Sequence, residues 1–179
     1  MRVLIACEES QTVCKAFRNK GHEAYSCDLV LPTGENWQWH IQGDAIEVMN
    51  SQNWDLLIAH PPCTYISNAG ARWLYKGGML NEARYKKGLL AKEFFMAFYN
   101  SKIERIAIEN PTPSTIYSLP KHTQIIQPFE YGHPYSKRTL LWLKNLPPLQ
   151  PTNIIEDYKT WMPSNTGGAK RGQKATWVY

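Results

Sequence analysis

Short apolar runs alternate with stretches of helical periodicity along most of the chain, and this alternation defines the predicted elements. The apolar runs predict strands at residues 2–7, 23–28, 55–59 and 104–109. Helical spacing predicts helices at about 10–20, 45–50 and 81–101. The connections at 31–41 and 61–80 are predicted to be loops because they contain glycine and proline.

Two further apolar stretches, at about 123–129 and 138–143, predict a closing pair of strands. The order of the elements indicates an α/β fold, namely a Rossmann-like, doubly wound and mostly parallel sheet with a terminal antiparallel hairpin. We assign residues 1–146 to this domain and residues 147–179 to an extension that is first Pro-rich and then basic. The extension is expected to wrap the surface or to stay mobile.

The composition is that of a globular domain. The chain has 179 residues, of which 43% are hydrophobic, enough for one ordinary core. Its apolar runs are shorter than the roughly 18 residues of a membrane span, and no basic leader precedes the first strand, so a cytoplasmic protein with no membrane partner is expected. Four scattered cysteines without a CxxC pair favour reduced thiols and predict no metal site.

The net charge of +5 and the pI near 9.0 are compatible with a polyanionic partner. Lys170 and Arg171 lie in a Gly-rich tail that could bind phosphate. Four further cations lie on the longest predicted helix, at Arg84, Lys86, Lys87 and Lys92. A solvated helix face and a flexible terminus explain the same pattern. The seven Trp and ten Tyr could stack bases, although most are expected to pack in the core.

Candidate chemistry lies where two predicted strands end. The apolar run 56–59 is followed by His60, two prolines and Cys63, and the prolines force the chain out of the sheet just before the thiol. Glu109 ends another apolar run, so both side chains are expected at the carboxyl edge, where open α/β sheets bind ligands. His60 could assist proton transfer there or simply be hydrogen-bonded near a strand end. A lone cysteine, moreover, is often just buried.

Five motifs resemble, in order and spacing, those of cytosine-5 DNA methyltransferases. They are Asp28 at the end of the second strand, Gly43-Asp44-Ala45, Pro61-Pro62-Cys63 with Ser67 and Asn68 behind it, Ile108-Glu109-Asn110, and the segment Tyr131 to Leu140 that contains Lys137 and Arg138. The resemblance covers about residues 2–143 and indicates a minimal member, of phage or prophage type, without the target-recognition region.

The resemblance implies S-adenosyl-L-methionine as cofactor, and cytosine in DNA or a cytosine nucleotide as substrate. It implies catalytic roles for Cys63, Glu109, Lys137 and Arg138. The cofactor-binding residues implied are Cys7, Glu8, Ser10, Asp28, Asp44 and Pro61, with Asp28 at the ribose and Asp44 at the adenine amino group. The substrate-binding residues implied are Pro62, Ser67, Asn68, Asn110, Lys170 and Arg171.

In the implied reaction, the thiolate of Cys63 adds to carbon 6 of cytosine and so activates carbon 5 toward the methyl donor. Glu109 protonates or hydrogen-bonds ring nitrogen 3. Lys137 or Arg138 stabilises the site electrostatically or binds a phosphate.

Two features depart from the family pattern. The first loop, residues 6–11, has no glycine, so its acids Glu8 and Glu9 either hold the cofactor's ammonium or simply form the first turn of a helix, which Ser10 can cap. The chain after Leu143 is also too short for a target-recognition region. The expected substrates are therefore single-stranded nucleic acid, a deoxycytidine nucleotide, or duplex DNA bound with a partner protein or a second subunit.

Three hypotheses follow from these residues. The first is a cytosine carbon-5 methyltransferase. The second is a pyrimidine-modifying enzyme that uses the same Cys63 and Glu109 with a different donor, which the loss of the glycine loop favours. The third is a non-catalytic nucleic-acid-binding or inhibitory protein on the same scaffold, for which the thiol of Cys63 is dispensable.

Overall fold

A computed structural model of the protein describes residues 1–160. Its strands are β1 Arg2–Ala6, β2 Glu23–Asp28, β3 His40–Gln42, β4 Leu56–Ala59, β5 Tyr75–Lys76, β6 Met79–Leu80, β7 Arg105–Pro111, β8 Gln124–Ile126, β9 Tyr135–Ser136, β10 Thr139–Lys144 and β11 Lys159–Thr160. Its α-helices are α1 Thr12–Asn19, α2 Ala45–Ser51, α3 Asn68–Ala71 and α4 Glu82–Tyr99. Single 3-10 turns occur at Trp37–Trp39, Thr115–Tyr117 and Pro128–Glu130.

The chain forms two compact units. The first comprises Met1–Ile125 and Thr139–Pro148, and the second comprises, among the described residues, Ile126–Arg138 and residues 149–160. The main sheet has the order β3-β2-β1-β4-β7-β10-β8. Strands β3, β2, β1, β4 and β7 pair in parallel, whereas β10 runs antiparallel to β7. The predicted fold class, a mostly parallel doubly wound sheet with a terminal antiparallel element, is confirmed.

The central strands are buried on both faces, which explains their nearly continuous apolar sequences. Alternate residues of β1 and β4, including Leu4 and Leu57, pack in one cluster with Phe95 and Phe98 of α4. The intervening residues, including Val3, pack in a second cluster with Cys14 of α1. Because α1 and α4 thus cover opposite faces, the loops at the carboxyl ends of β1, β4 and β7 are left at one edge.

Two predicted loops contain regular structure. Strand β3 lies in the polar segment 31–41 and pairs with the end of β2, where the Oγ of Ser26 is 2.9 Å from the Nδ1 of His40. The segment 61–80 holds α3 and a hairpin formed by β5 and β6. Gly77 and Gly78 form its two-residue turn with φ of 58° and 80°, as a primed hairpin turn requires.

The second unit brings part of the Pro-rich extension against residues 126–138. The backbone carbonyl of Glu130 accepts hydrogen bonds from the amides of Thr152 and Asn153, at 3.1 and 3.2 Å. The rings of Phe129 and Tyr158 stack with centroids 4.1 Å apart. Residues 149–160 therefore pack within this unit. The division at residue 146 between domain and extension stays a prediction.

Candidate active site

The loop after β4 presents Cys63 in a tight turn. Pro61 is buried and Cys63 is half-buried. The backbone carbonyl of Cys63 accepts hydrogen bonds from the amides of Ile66 and Ser67, at 3.2 and 3.0 Å. These bonds and the two prolines fix the backbone on both sides of the thiol. Cys63 is thus held at the carboxyl edge of the sheet, as the sequence predicts.

Asn110 fastens this loop to the end of β7. Its side chain is fully buried, and its Nδ2 donates a 2.8 Å hydrogen bond to the carbonyl of Pro61. Because β4 and β7 are parallel neighbours, this bond joins the two strand ends that carry the predicted thiol and acid. The structure gives Asn110 a positioning contact, and its predicted contact with substrate stays a prediction.

Glu109 is paired with His60. Ala59 and Ile108 are partners in the register of β4 and β7, so the next residues along, His60 and Glu109, are neighbours. The His60 Nδ1 and a Glu109 carboxylate oxygen are 3.5 Å apart, with 29% and 28% of the two side chains exposed. The contact is an ion pair only when His60 is protonated. The predicted acid therefore has a titratable partner at the site.

Ser67 and Asn68 belong to the same loop. Ser67 is buried, and its Oγ accepts a 3.2 Å hydrogen bond from the amide of Gly70 as the N-cap of α3. The amide of Asn68 donates to the carbonyl of Thr112, while its side chain is exposed. The Ser67 hydroxyl is therefore used within the fold, whereas the Asn68 side chain faces solvent beside the Cys63 turn.

The glycine-free loop after β1 is built around the carboxylate of Glu8. This side chain is only 6% exposed, and its two oxygens accept hydrogen bonds from the amides of Val13 and Cys14, at 2.6 and 3.1 Å. The Oγ of Ser10 accepts a further bond from the amide of Thr12 at 3.3 Å. Glu8 and Ser10 thus satisfy the first amides of α1. An anionic ligand such as a phosphate is therefore disfavoured at this helix end.

Cys7 adopts the backbone conformation that a glycine would usually provide in this turn, with φ of 61°. Burial raises the pKa of its thiol to about 12, with smaller contributions from Asp28, Cys27 and Asp44. Burial likewise raises the pKa of Cys27 to about 11, again with contributions from Asp28 and Asp44. Cys7, Asp28 and Asp44, predicted to bind one cofactor, therefore lie close enough to affect each other electrostatically.

Asp28 and Asp44 hold the backbone around this group. One oxygen of Asp28 accepts from the amide of Val30 at 3.2 Å. One oxygen of Asp44 accepts from the amides of Ile46 and Glu47, at 2.8 and 3.1 Å, and caps α2. Each of these bonds uses the Oδ1 atom. The two carboxylates, together with a protonated thiol, form a negatively charged edge that favours cationic and hydroxyl groups.

The remaining predicted residues lie outside the first unit or outside the described residues. Lys137 and Arg138 belong to the second unit, directly after β9, and their catalytic role stays a prediction. Lys170 and Arg171 lie outside the described residues. Within residues 1–160, no group of three or more His, Cys, Asp or Glu side chains is arranged to hold a metal ion. No helix in that range has the length and apolar character needed to cross a membrane.

Cavities open at both edges of this sheet in the described part of the chain. The one beside the Cys63 loop has a volume of about 370 Å³ and is lined by Pro62, Tyr65, Lys87, Leu90, Ala91 and Phe94. Two others, of about 360 and 590 Å³, lie at the opposite edge around Asn100 and Ser101 and contain none of the predicted site residues. The first of these cavities therefore lies beside the Cys63 loop, although Cys63 itself is not among its lining residues.

No family model matches the chain, and no curated protein matches it. A solved structure of a prophage-encoded E. coli protein, proposed to be a DNA modification methyltransferase, is similar over 80% of this chain and 46% of that one, with 13% identity and a TM-score of 0.46. The chain thus spans about half the length of that protein.

Proposed function

We propose that the protein is a methyltransferase that modifies carbon 5 of cytosine in DNA. Cys63 is the nucleophile, Glu109 is the general acid, and S-adenosylmethionine is the methyl donor. The observation that carries the proposal is the joining of the two strand ends. The side chain of Asn110 holds the Pro61 carbonyl at 2.8 Å, and Glu109 lies next to it at the end of β7.

The two residues can supply complementary chemistry. The sulfur of the Cys63 thiolate forms a bond to carbon 6 of cytosine, and the electrons of the double bond between carbons 5 and 6 move toward carbon 5. Glu109 donates a proton to ring nitrogen 3 and so neutralises the charge that develops in the ring. After carbon 5 is alkylated, a base removes its proton and the bond from sulfur to carbon 6 breaks.

His60 extends this pair by one proton-carrying group. Its Nδ1 is 3.5 Å from the Glu109 carboxylate, close enough to exchange a proton through a small movement. After Glu109 has given its proton to cytosine, His60 returns a proton to Glu109. From the sequence, His60 is only one candidate for assisting proton transfer. Its position beside Glu109 follows from the register between β4 and β7 in the folded sheet.

The residues around Cys7 fit the proposed cofactor. S-adenosylmethionine carries a sulfonium, an ammonium and a ribose diol but no phosphate, which suits an edge with two carboxylates and a helix start already capped by Glu8. When bound, it supplies the methyl group that carbon 5 accepts. Asp28 would bind the ribose hydroxyls, Asp44 the adenine amino group, and exposed Glu9 the ammonium, since both Glu8 oxygens cap α1.

Calorimetric titration of the full chain with S-adenosylmethionine tests the cofactor assignment. We expect saturable binding that weakens about tenfold or more in Asp28→Ala and in Asp44→Ala, because each loses a charged hydrogen bond. Glu104→Ala removes an exposed carboxylate from the opposite edge and serves as the matched control. Absence of binding to the unmodified protein would overturn the methyl donor and favour the second hypothesis, a pyrimidine-modifying enzyme with another donor.

A further inference from the structure

The positive charge of the chain is concentrated in one segment. Residues 56–92 contain six cations and a single acid, Glu82, whereas the rest of the chain contains fourteen Lys and Arg and fourteen Asp and Glu. The six cations are Arg72, Lys76, Arg84, Lys86, Lys87 and Lys92. The whole net charge of +5 therefore arises from the 37 residues that contain Cys63, the β5–β6 hairpin and the first part of α4. Such an asymmetry attracts a polyanion to this part of the surface.

Contacts through Arg84 fix α4 against the Cys63 loop. Its guanidinium donates to the carbonyls of Thr64 and Gly70, at 3.1 and 3.0 Å, and lies over the ring of Tyr65 at 5.0 Å. The ammonium of Lys87 lies 5.8 Å from the centre of the same ring. The cations at the start of α4 are thus held next to the residues that follow the nucleophile.

The cavity of about 370 Å³ opens in this place. Its helical wall is formed by Lys87, Leu90, Ala91 and Phe94, which share one face of α4 at spacings of three and four residues. Pro62 and Tyr65, which flank Cys63 in sequence, form the other wall. Leu90 is 64% exposed although it is apolar. An open apolar slot with an aromatic ring and an ammonium group matches the combination with which proteins hold an unpaired base and its phosphate.

The hairpin and the turn before it add a second aromatic surface to the same segment. Trp73, Tyr75 and Met79 are each more than half exposed, and Arg72 lies 4.9 Å from the centre of the Trp73 ring. Exposed side chains of this size in one short stretch usually mark an interaction surface. With no acid between Asp55 and Glu82, this surface also repels no phosphate.

We propose that the cavity between the Cys63 loop and α4 is a subsite for the nucleotide that flanks the target cytosine in a single DNA strand. The flanking base stacks against Tyr65 and the apolar face of Leu90 and Phe94, and Lys87 pairs with its phosphate. The proposal rests on the proposed function and narrows its substrate to a polynucleotide. It also places strand binding next to the nucleophile rather than in the basic tail.

Fluorescence anisotropy with a labelled oligothymidylate tests the subsite apart from the chemistry, because thymine offers no target cytosine. We use the full chain with Cys63→Ser, without S-adenosylmethionine. Lys87→Ala and Leu90→Glu each alter an exposed position. We expect each of them to weaken the binding of the oligothymidylate about tenfold, and we expect the same loss from Tyr65→Ala. Lys87→Ala should also reduce the slope of log affinity against log salt by about 0.7, the value for one phosphate contact on a single strand.

Lys102→Ala is the matched control, because it removes an exposed cation near the opposite edge of the sheet. It is expected to leave both the affinity and the slope nearly unchanged. Thermal unfolding of every variant checks that the fold is retained. The subsite is overturned if Lys87→Ala and Leu90→Glu behave like Lys102→Ala, or if a duplex of the same length binds more tightly and with the same sensitivity.

The subsite and the proposed reaction can fail separately in these experiments. If the protein binds no methyl donor but the strand affinity still depends on Lys87 and Leu90, the subsite stands and the methyltransferase proposal fails. If S-adenosylmethionine binds but free deoxycytidine monophosphate is modified as well as an oligonucleotide, the subsite is overturned and the reaction stands.

Discussion

Removal of the Asn110 amide should disable the site by releasing the Cys63 loop. Asn110 is fully buried, and its Nδ2 is the group that donates to the carbonyl of buried Pro61. In Asn110→Ala this carbonyl loses its partner away from water, which costs about 1–3 kcal/mol of unfolding free energy. For a chain of this size, that corresponds to a decrease of roughly 2–12 °C in Tm.

The loss of activity should exceed the loss of stability. If the loop shifts by as little as about 1 Å, the nucleophile leaves its reactive geometry and the rate falls on the order of a hundredfold. Single-turnover methylation below the Tm of the variant separates this effect from unfolding. Asn53→Ala, at an exposed asparagine outside the site, is the matched control and should change neither quantity. An Asn110→Ala protein with unchanged Tm and unchanged single-turnover rate would refute the reasoning.

Three other outcomes follow from the same geometry. Glu109→Gln keeps the shape but not the acid, so the rate should fall about a hundredfold or more while calorimetry shows unchanged binding of S-adenosylmethionine; an unchanged rate would remove Glu109 from the mechanism. Since a pKa of about 12 keeps Cys7 almost entirely protonated at about pH 8, iodoacetamide at that pH should alkylate Cys63 well before Cys7, as peptide mapping can show; preferential labelling of Cys7 would contradict this. Glu8→Ala should reduce the urea-unfolding free energy by about 0.5–2 kcal/mol through loss of the α1 cap, whereas Glu9→Ala, at an exposed neighbour, should not; equal losses would show that Glu8 is no cap.

The parallel core could be predicted from sequence because its strands are buried on both faces. Strands β1, β2, β4 and β7 begin and end within two residues of the predicted limits, since burial on two sides leaves a continuous apolar run. Strand β3 has no such run, because it is a short edge strand held by pairing to β2. The hairpin of β5 and β6 does carry a local signal, the Gly77-Gly78 turn, although the composition of segment 61–80 predicts only a loop.

The site was predictable as a set of strand ends but not as a set of contacts. The proline pair marks the place of Cys63, and the second strand end marks that of Glu109. The pairing of His60 with Glu109 and of Asn110 with Pro61 depends on the register between β4 and β7, which local sequence does not encode. The role of Glu8 could not be predicted from the sequence either. An acid in this loop fits a ligand or a helix cap equally well, and the structure commits both of its oxygens to the cap.

The central claim is that Cys63 forms a covalent bond to carbon 6 of cytosine. The direct test is mass spectrometry of the full chain after incubation with S-adenosylmethionine and a single-stranded oligonucleotide containing 5-fluorocytosine. Fluorine cannot leave carbon 5 as a proton does, so the bond to sulfur should persist. We predict an adduct whose mass includes the oligonucleotide and one methyl group, located on the peptide that contains Cys63 and lost in Cys63→Ser. No adduct, or an adduct that survives this substitution, would contradict the account.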